Sequence, residues 1–275
     1  MQITAEMVKT LRDKTDAGMM DCKRALKNAE GDMEKAVEEM RKAGVAKAAK
    51  KAGRVATEGV VRSCIDDNVA SMVEVLCETD FVARNEKFSA YADDLAKRVG
   101  QTYAEDGDVS DRVAAAEKEA VGELVAAIGE NIQVRRAVRW TRDADSAFAT
   151  YLHMDGRIGV LADIAGTDDE ELRKDICMHI AAFNPRFITP DEIPADVIDN
   201  EKEIARAQVE GKPAHILDKI IEGKIRKWYT EVCLTQQPWL RDDKTSLAKL
   251  APSVRVHRFV RWAVGEEVAE DEESE

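Results

Sequence analysis

The spacing of apolar residues changes character several times along this chain, and the changes divide it into segments. Over the first 45 residues the period is helical. Thr4 stands where an N-cap is wanted, Ile3 and Val8 have the spacing of a hydrophobic staple around it, and Met7, Val8 and Leu11 form a stripe. Thr15-Asp16-Ala17-Gly18 reads as a turn, and a second helix from about Met19 buries residues among Met19, Cys22, Ala25 and Leu26. Gly31 suits a C′ position and Asp32 caps a third helix. Its Met33, Ala36, Val37 and Met40 fall at i, i+3, i+4 and i+7, and Gly44 ends it. So small a bundle buries little surface, which makes it marginal alone and suited to docking on something else. The following KAAKKAGR, residues 47–54, is basic and alanine-rich without an apolar face. It reads as a linker, most simply a solvated helical tether.

From Val55 the period shortens to that of strands. Residues 60–65 and 69–77 flank Asp66-Asp67-Asn68 as a hairpin, and a helix follows with Phe88, Tyr91, Ala92, Leu95 and Val99 on one face. A long helix over about 112–128 ends at Gly129, before a strand at 132–140. The pattern then recurs. Residues 147–153 and 158–165 flank Met154-Asp155-Gly156, and Gly166-Thr167-Asp168 leads to another helix, as Glu78-Thr79-Asp80 does in the first copy. Segments 195–210 and 215–232 are helical around Gly211-Lys212-Pro213, so they pair as antiparallel neighbours. In that hairpin Val197, Ile198 and Ile204 face Ile216, Ile220, Ile221 and Ile225, with part of the stripe left uncovered for a partner or a second copy. A short strand at 258–264 closes the pattern.

The expected fold class is therefore α+β. A three-helix domain (1–45) and a basic linker (46–55) precede a core of antiparallel β-hairpins with helices. That core has two subdomains, 56–142 and 143–194 with 233–264. The helical hairpin 195–232 protrudes, and an acidic tail, 265–275, is expected to be disordered.

Charge and chemistry narrow the function. The formal net charge of −13 is unevenly placed: residues 1–54 carry thirteen bases against nine acids, and the last eleven residues carry seven acids and no base. A net acidic chain is a poor general nucleic-acid binder, so no direct nucleic-acid partner is expected. No apolar run approaches the roughly 20 residues of a membrane span. The chain opens on an amphipathic helix with no leader pattern, and its five scattered cysteines form no C-x-x-C pair. These features predict a cytoplasmic protein with reduced thiols.

No G-x-x-x-x-G-K-[ST] cradle, dinucleotide fingerprint or triad pattern is present, which disfavours an enzyme and implies no cofactor or metal of its own. Cys177-Met178-His179 is a C-x-H on a helix, where i and i+2 diverge, so it does not make a metal site. Two stretches look built for recognition instead. In Thr79-Asp80-Phe81-Val82-Ala83-Arg84-Asn85 an aromatic sits beside a carboxylate just after a strand. Phe81 either belongs to the chain's own core or is held out for a partner's pocket, and spacing does not choose. Met19-Met20 behind a glycine turn can adapt to a partner, although such pairs more often fill a core.

These stretches, taken in order, resemble the elongation factor Ts family. The run Leu11-Arg12-Asp13-Lys14-Thr15-Asp16-Ala17-Gly18-Met19-Met20-Asp21-Cys22-Lys23-Arg24-Ala25-Leu26 is similar to its opening signature, and TDFVARN at 79–85 to its second. Ile128-Gly129-Glu130-Asn131, Tyr151-Leu152-His153, Gly156-Arg157-Ile158-Gly159-Val160-Leu161, Met178-His179-Ile180-Ala181-Ala182, Gly211-Lys212-Pro213, Gln237-Pro238-Trp239 and Phe259-Val260-Arg261 follow at family spacing. The likeness runs from about Ile3 to Glu266.

The resemblance implies a ubiquitin-associated-like (UBA-like) N-terminal domain, a two-subdomain core and a dimerisation arm at 195–232. It implies guanine-nucleotide exchange on the translational GTPase elongation factor Tu. Leu11, Arg12, Met19 and Met20 would rest on the GTPase domain. Asp80 and Phe81 would enter it between two helices, with Thr79, Val82, Ile128 and Gly129 among the contacts, and His153 would touch a separate domain. A Phe81 wedge would weaken magnesium and phosphate contacts together, and GDP would leave without covalent chemistry here. Asp16 stands where the family commonly has Gly, Trp239 where Phe is frequent, and Glu267 for a closing Gly. The acidic tail stands where some members of the family carry a further helical module, so that contact with the GTPase is expected to be missing or weakened. The competing reading is an adaptor that binds through the N-terminal bundle and has no use for Phe81.

Overall fold

The computed structural model describes residues 3–209 and 214–267. The fold is mixed α+β, with eleven α-helices among the described residues. The first three are α1 (Ala5–Thr15), α2 (Met19–Asn28) and α3 (Met33–Lys51). Thr4 caps α1 by accepting the Met7 N–H at 3.2 Å, and Asp32 caps α3 by accepting from Glu34 and Lys35. Asp16 closes α1 in the left-handed region at φ 53°, a conformation a short polar side chain tolerates. Val8, Leu11, Cys22, Leu26 and Ala36 pack as the core of this bundle, with Ile3 of the staple against it.

The third helix does not stop at Gly44. It continues through most of the expected linker to Lys51, because Gly44 is spent on close approach and not on termination. A Cβ on Gly44 would meet the Gly122 carbonyl oxygen at 2.8 Å, and one on Gly122 would meet the Val45 nitrogen at 2.8 Å. Two helix backbones touch at this crossing, which only glycine allows. Lys47 is tied to Asp21 at 2.6 Å, so the basic segment is not simply solvated.

The first sheet has the order β1-β2-β4-β3, all antiparallel: β1 (Glu58–Asp66), β2 (Val69–Cys77), β3 (Gly107–Asp108) and β4 (Gln133–Thr141). Asp67 at φ 48° turns the β1–β2 hairpin. A single helical turn, α4 (Asp80–Ala83), leads into α5 (Glu86–Thr102). Phe88, Ala92, Leu95 and Val99 of α5 are buried with Val73, Val75 and Ala137 of the sheet. The long helix expected over 112–128 is two, α6 (Ser110–Ala116) and α7 (Lys118–Ile128). The break falls at Glu117, whose carboxylate is held by the Tyr91 hydroxyl at 2.9 Å and Arg98 at 2.8 Å. Glu74, fully buried on β2, accepts from Arg136 at 2.7 Å and from the Gly265 N–H at 3.2 Å. A buried carboxylate is tolerable only with such partners.

The chain forms two compact units. The first takes in everything up to Thr141, Leu152–Gly159 and the segment from Trp262, and the second Arg142–Tyr151 and Val160–Arg261. A second sheet has the order β5-β6-β7: β5 (Ser146–His153), β6 (Ile158–Ala165) and β7 (Arg255–Ala263), the last starting three residues earlier than its pattern indicated. In the second unit α8 (Glu170–Phe183) buries Ile176, Cys177, His179 and Ile180. Helices α9 (Ala195–Ala207) and α10 (Ala214–Val232) pack through Ala205, Ile221 and Ile225, joined by Val209 just past the end of α9, and α11 (Leu247–Leu250) is a short turn before β7. Ile204 and Ile216 do not join that contact; they are 44% and 41% exposed. Val197 and Ile198 pack instead with Phe187, Ile193 and Trp228. The Gly211-Lys212-Pro213 turn and the tail from residue 268 lie outside the described residues. No described helix is long and apolar enough to cross a membrane.

Candidate partner-binding surface

The TDFVARN stretch forms a compact strand-to-helix corner. Thr79, extended at φ −128°, caps α4 by accepting the Val82 N–H at 3.4 Å. Asn85 ends that turn and caps α5, accepting from Lys87 at 3.0 Å and Phe88 at 3.4 Å. Ala83 is buried and Val82 half-buried against the first unit's core, and both hold the turn down. Phe81 points the other way and is 83% exposed. Asp80 is half-exposed beside Arg84, at 3.5 Å. The question left open by spacing is therefore decided: Phe81 belongs to no core of this chain.

The turn is also bonded to a carboxylate about fifty residues away. The Glu130 carboxylate accepts the N–H groups of Glu78 and Thr79, both at 3.0 Å, and the Thr79 hydroxyl at 2.6 Å. Glu78 in turn accepts the Asn131 N–H at 2.6 Å, and the Asn131 side chain donates to the Arg54 carbonyl at 2.8 Å. Gly129, in the left-handed region at φ 94°, ends α7, and its carbonyl accepts from Lys51 at the end of α3. Burial pushes the nearby Cys77 thiol up to about 12, with Glu130 adding to the shift, so this cysteine is not a reactive thiolate.

The methionine pair is also on the surface. Met19 is 58% and Met20 72% exposed, against the reading that favoured a core role. Asp16, just before them, pairs with Lys87 at the start of α5 at 2.5 Å, which ties the α1–α2 turn to the helix that follows Phe81. Arg12 is exposed as well. Leu11 is not: it is fully buried in the three-helix core, so it shapes this face without reaching a partner. Ile128 is half-buried against the core, Gly129 is exposed, and His153 lies exposed at the end of β5. Sequence reasoning named the Ile128-Gly129-Glu130-Asn131 motif and missed what Glu130 does. A carboxylate one residue past a helix-ending glycine was the available signal.

In the second unit His179 is fully buried between the rings of Phe183 and Trp239, at centroid distances of 4.6 and 5.0 Å. Its Nε2 meets Gln237 Oε1 at 3.0 Å, and burial holds its pKa below the usual histidine value. It is a core histidine. Among the described residues no cluster of His, Cys, Asp and Glu is arranged to hold a metal ion.

The fold and this surface define a class: an α+β protein that holds Phe81, Met19 and Met20 out in solvent. The family follows from comparison. Residues 78–266 match the family described as Elongation factor TS. Elongation factor Ts of Clostridium botulinum (strain Alaska E43 / Type E3) is 44% identical over 292 residues, covering 99% of this chain and 96% of that protein. Elongation factor Ts of Clostridium perfringens (strain 13 / Type A) is 43% identical over 298 residues, with the same coverage. The chain belongs to the elongation factor Ts family.

Proposed function

We propose that this protein is a guanine-nucleotide exchange factor that binds the GDP form of elongation factor Tu in the cytoplasm and promotes GDP release so that GTP can bind. It performs no covalent chemistry and needs no cofactor of its own; it acts on the Mg-GDP site of its partner. The single observation that carries the reading is Phe81, 83% exposed on a braced turn inside a family signature. An aromatic held in solvent costs stability unless something else covers it. Phe81, with Asp80 beside it, enters the GTPase and loosens magnesium and phosphate ligation together. Linkage makes the effect reciprocal, so rebound nucleotide expels the factor.

The other contacts fit around that wedge. The N-terminal bundle acts as a UBA-like module that docks Arg12, Met19 and Met20 on the GTPase domain. Thr79, Val82, Ile128 and Gly129 line the approach, and His153 serves a second domain of the partner. Exposed Ile204 and Ile216 support an arm that pairs with a second copy.

The test is release of a fluorescent GDP from elongation factor Tu. The parent protein accelerates release, and Phe81→Ala lowers that acceleration at least about a hundredfold, roughly 2.7 kcal/mol of barrier. A folded parent that leaves release unchanged rules the reading out. A Phe81→Ala variant as fast as the parent rules out the wedge and favours an adaptor acting through the N-terminal bundle.

A further inference from the structure

Phe81 touches little of its own chain, so its direction depends on the backbone of residues 78–82. Residues 78–80 and 82 are half-buried, and the N–H groups of Glu78 and Thr79 lie past the β1–β2 ladder, which ends at Cys77. Glu130 supplies both partners and takes the Thr79 hydroxyl with its other oxygen. Hydrogen bonds to an ionised acceptor are about twice as strong as neutral ones.

Glu130 is itself fixed. It follows the left-handed Gly129 that ends α7, and α7 is locked to α3 at the Gly44–Gly122 crossing. The same short segment accepts Lys51 on the Gly129 carbonyl and donates from Asn131 to Arg54. The exit of the N-terminal bundle and the entry to the Phe81 turn are thus hung on residues 129–131.

We infer that Glu130 is the positioning residue of the exchange surface: its carboxylate sets the geometry of the Thr79–Val82 turn and so aims Phe81. This deepens the exchange reading and rests on it. Without the brace the turn samples other directions, and the partner must order it on binding. The loss falls on the step in which Phe81 acts, not on the encounter made by Met19 and Met20.

Three variants test it. Glu130→Ala removes every acceptor. Glu130→Gln keeps one oxygen for the two backbone N–H groups and turns its amide toward the Thr79 oxygen. Glu130→Ala should lower the maximal GDP-release rate about tenfold, with the half-saturating concentration changed less than about threefold, while Glu130→Gln retains most of the rate. Combined with Phe81→Ala, Glu130→Ala should cost almost nothing further, because a positioning residue has no effect once its object is gone. A double variant whose loss is the full product of the two single losses overturns the proposal.

Hydrogen exchange of the Glu78, Thr79 and Val82 amides supplies a readout that needs no partner. Protection should fall in Glu130→Ala and persist in Glu130→Gln; unchanged protection in Glu130→Ala overturns the brace. Should the parent fail to accelerate release at all, the exchange reading falls, and the amide measurement still decides whether Glu130 holds the turn.

Discussion

Each unit contains a strand that runs through a Thr-Asp turn into a helix, and the two turns have been put to opposite uses. In the first, β2 passes through Glu78-Thr79 into the four residues of α4, Thr79 is the cap, and Phe81 stands in solvent. In the second, β6 passes through Gly166-Thr167-Asp168 into the fourteen residues of α8, and Asp169 is the cap, accepting from Glu171 at 2.9 Å and Leu172 at 3.1 Å. The second turn is capped chiefly by its own neighbours, with one bond from afar, the Ser253 hydroxyl donating to the Gly166 carbonyl at 3.3 Å. Thr167 accepts the Asp169 N–H at 3.1 Å on its hydroxyl and Arg173 at 2.8 Å on its carbonyl. The first turn is held from a distance by Glu130. A turn closed by its own neighbours joins two elements. A turn held by a remote carboxylate can be short, carry an exposed aromatic and still keep one direction.

That contrast predicts a separation of effects, and the largest lies at Gly166. It sits at φ +79°, and a Cβ there would meet the Ser253 carbonyl oxygen at 2.1 Å and have nowhere to go. Gly166→Ala should cost about 3 kcal/mol or more of folding stability in urea denaturation, whereas Phe81→Ala should cost less than about 0.5 kcal/mol. Equal losses at the two positions would erase the distinction between a joining turn and a presenting one.

The caps give a smaller effect with the same logic. Asp169→Ala leaves the N–H groups of Glu171 and Leu172 without their acceptor and should cost about 1 kcal/mol. GDP release should be untouched by that change. Thr79→Val removes the cap and one hydroxyl from the Glu130 brace, so its release rate should fall more than its urea midpoint. A Thr79→Val variant that loses stability and keeps full exchange would show the presenting turn to be a joint like the other.

Much of this was legible beforehand because the signals are local. Thr4 and Asp32 are caps readable from their own neighbours, and the strands fell on runs rich in β-forming residues. Gly44 misled because a glycine after a helical stripe looks the same whether it ends a helix or lets another backbone approach; the answer lies in Gly122, far along the chain. Glu117 broke a helix that its own stretch favoured, since Tyr91 and Arg98 on α5 hold its side chain. Phe81, Met19 and Met20 could not be assigned to surface or core from spacing, which records that a residue is apolar but not whether anything covers it. Glu130 stayed hidden for the same reason as Gly44: its partners are remote in sequence.

The smallest predicted effect concerns the second unit's interior, which contrasts with the exposed aromatic of the first. Gln237 donates its amide to the Glu231 carbonyl at 2.9 Å, so its oxygen faces His179 and Nε2 of the imidazole carries the proton. Nδ1 is then the bare nitrogen, buried and without a hydrogen-bond partner. A proton added there would be desolvated and unshared, which is why burial lowers the pKa despite the opposing pull of Gln237. A lowered folded-state pKa means that the unfolded chain takes up the proton first. The stability due to neutral His179 is complete above about pH 6.5 and drains away as pH falls toward the folded-state value. Between pH 7.5 and pH 6 the loss should reach at most about 0.8 kcal/mol. Urea unfolding of the parent and His179→Gln across that interval isolates it, because every other residue is common to the two proteins. The variant should be less stable throughout and flatter with pH. A parent curve no steeper than the variant's would mean that the imidazole accepts its proton inside the fold, and that the stack between Phe183 and Trp239 is not closed to charge.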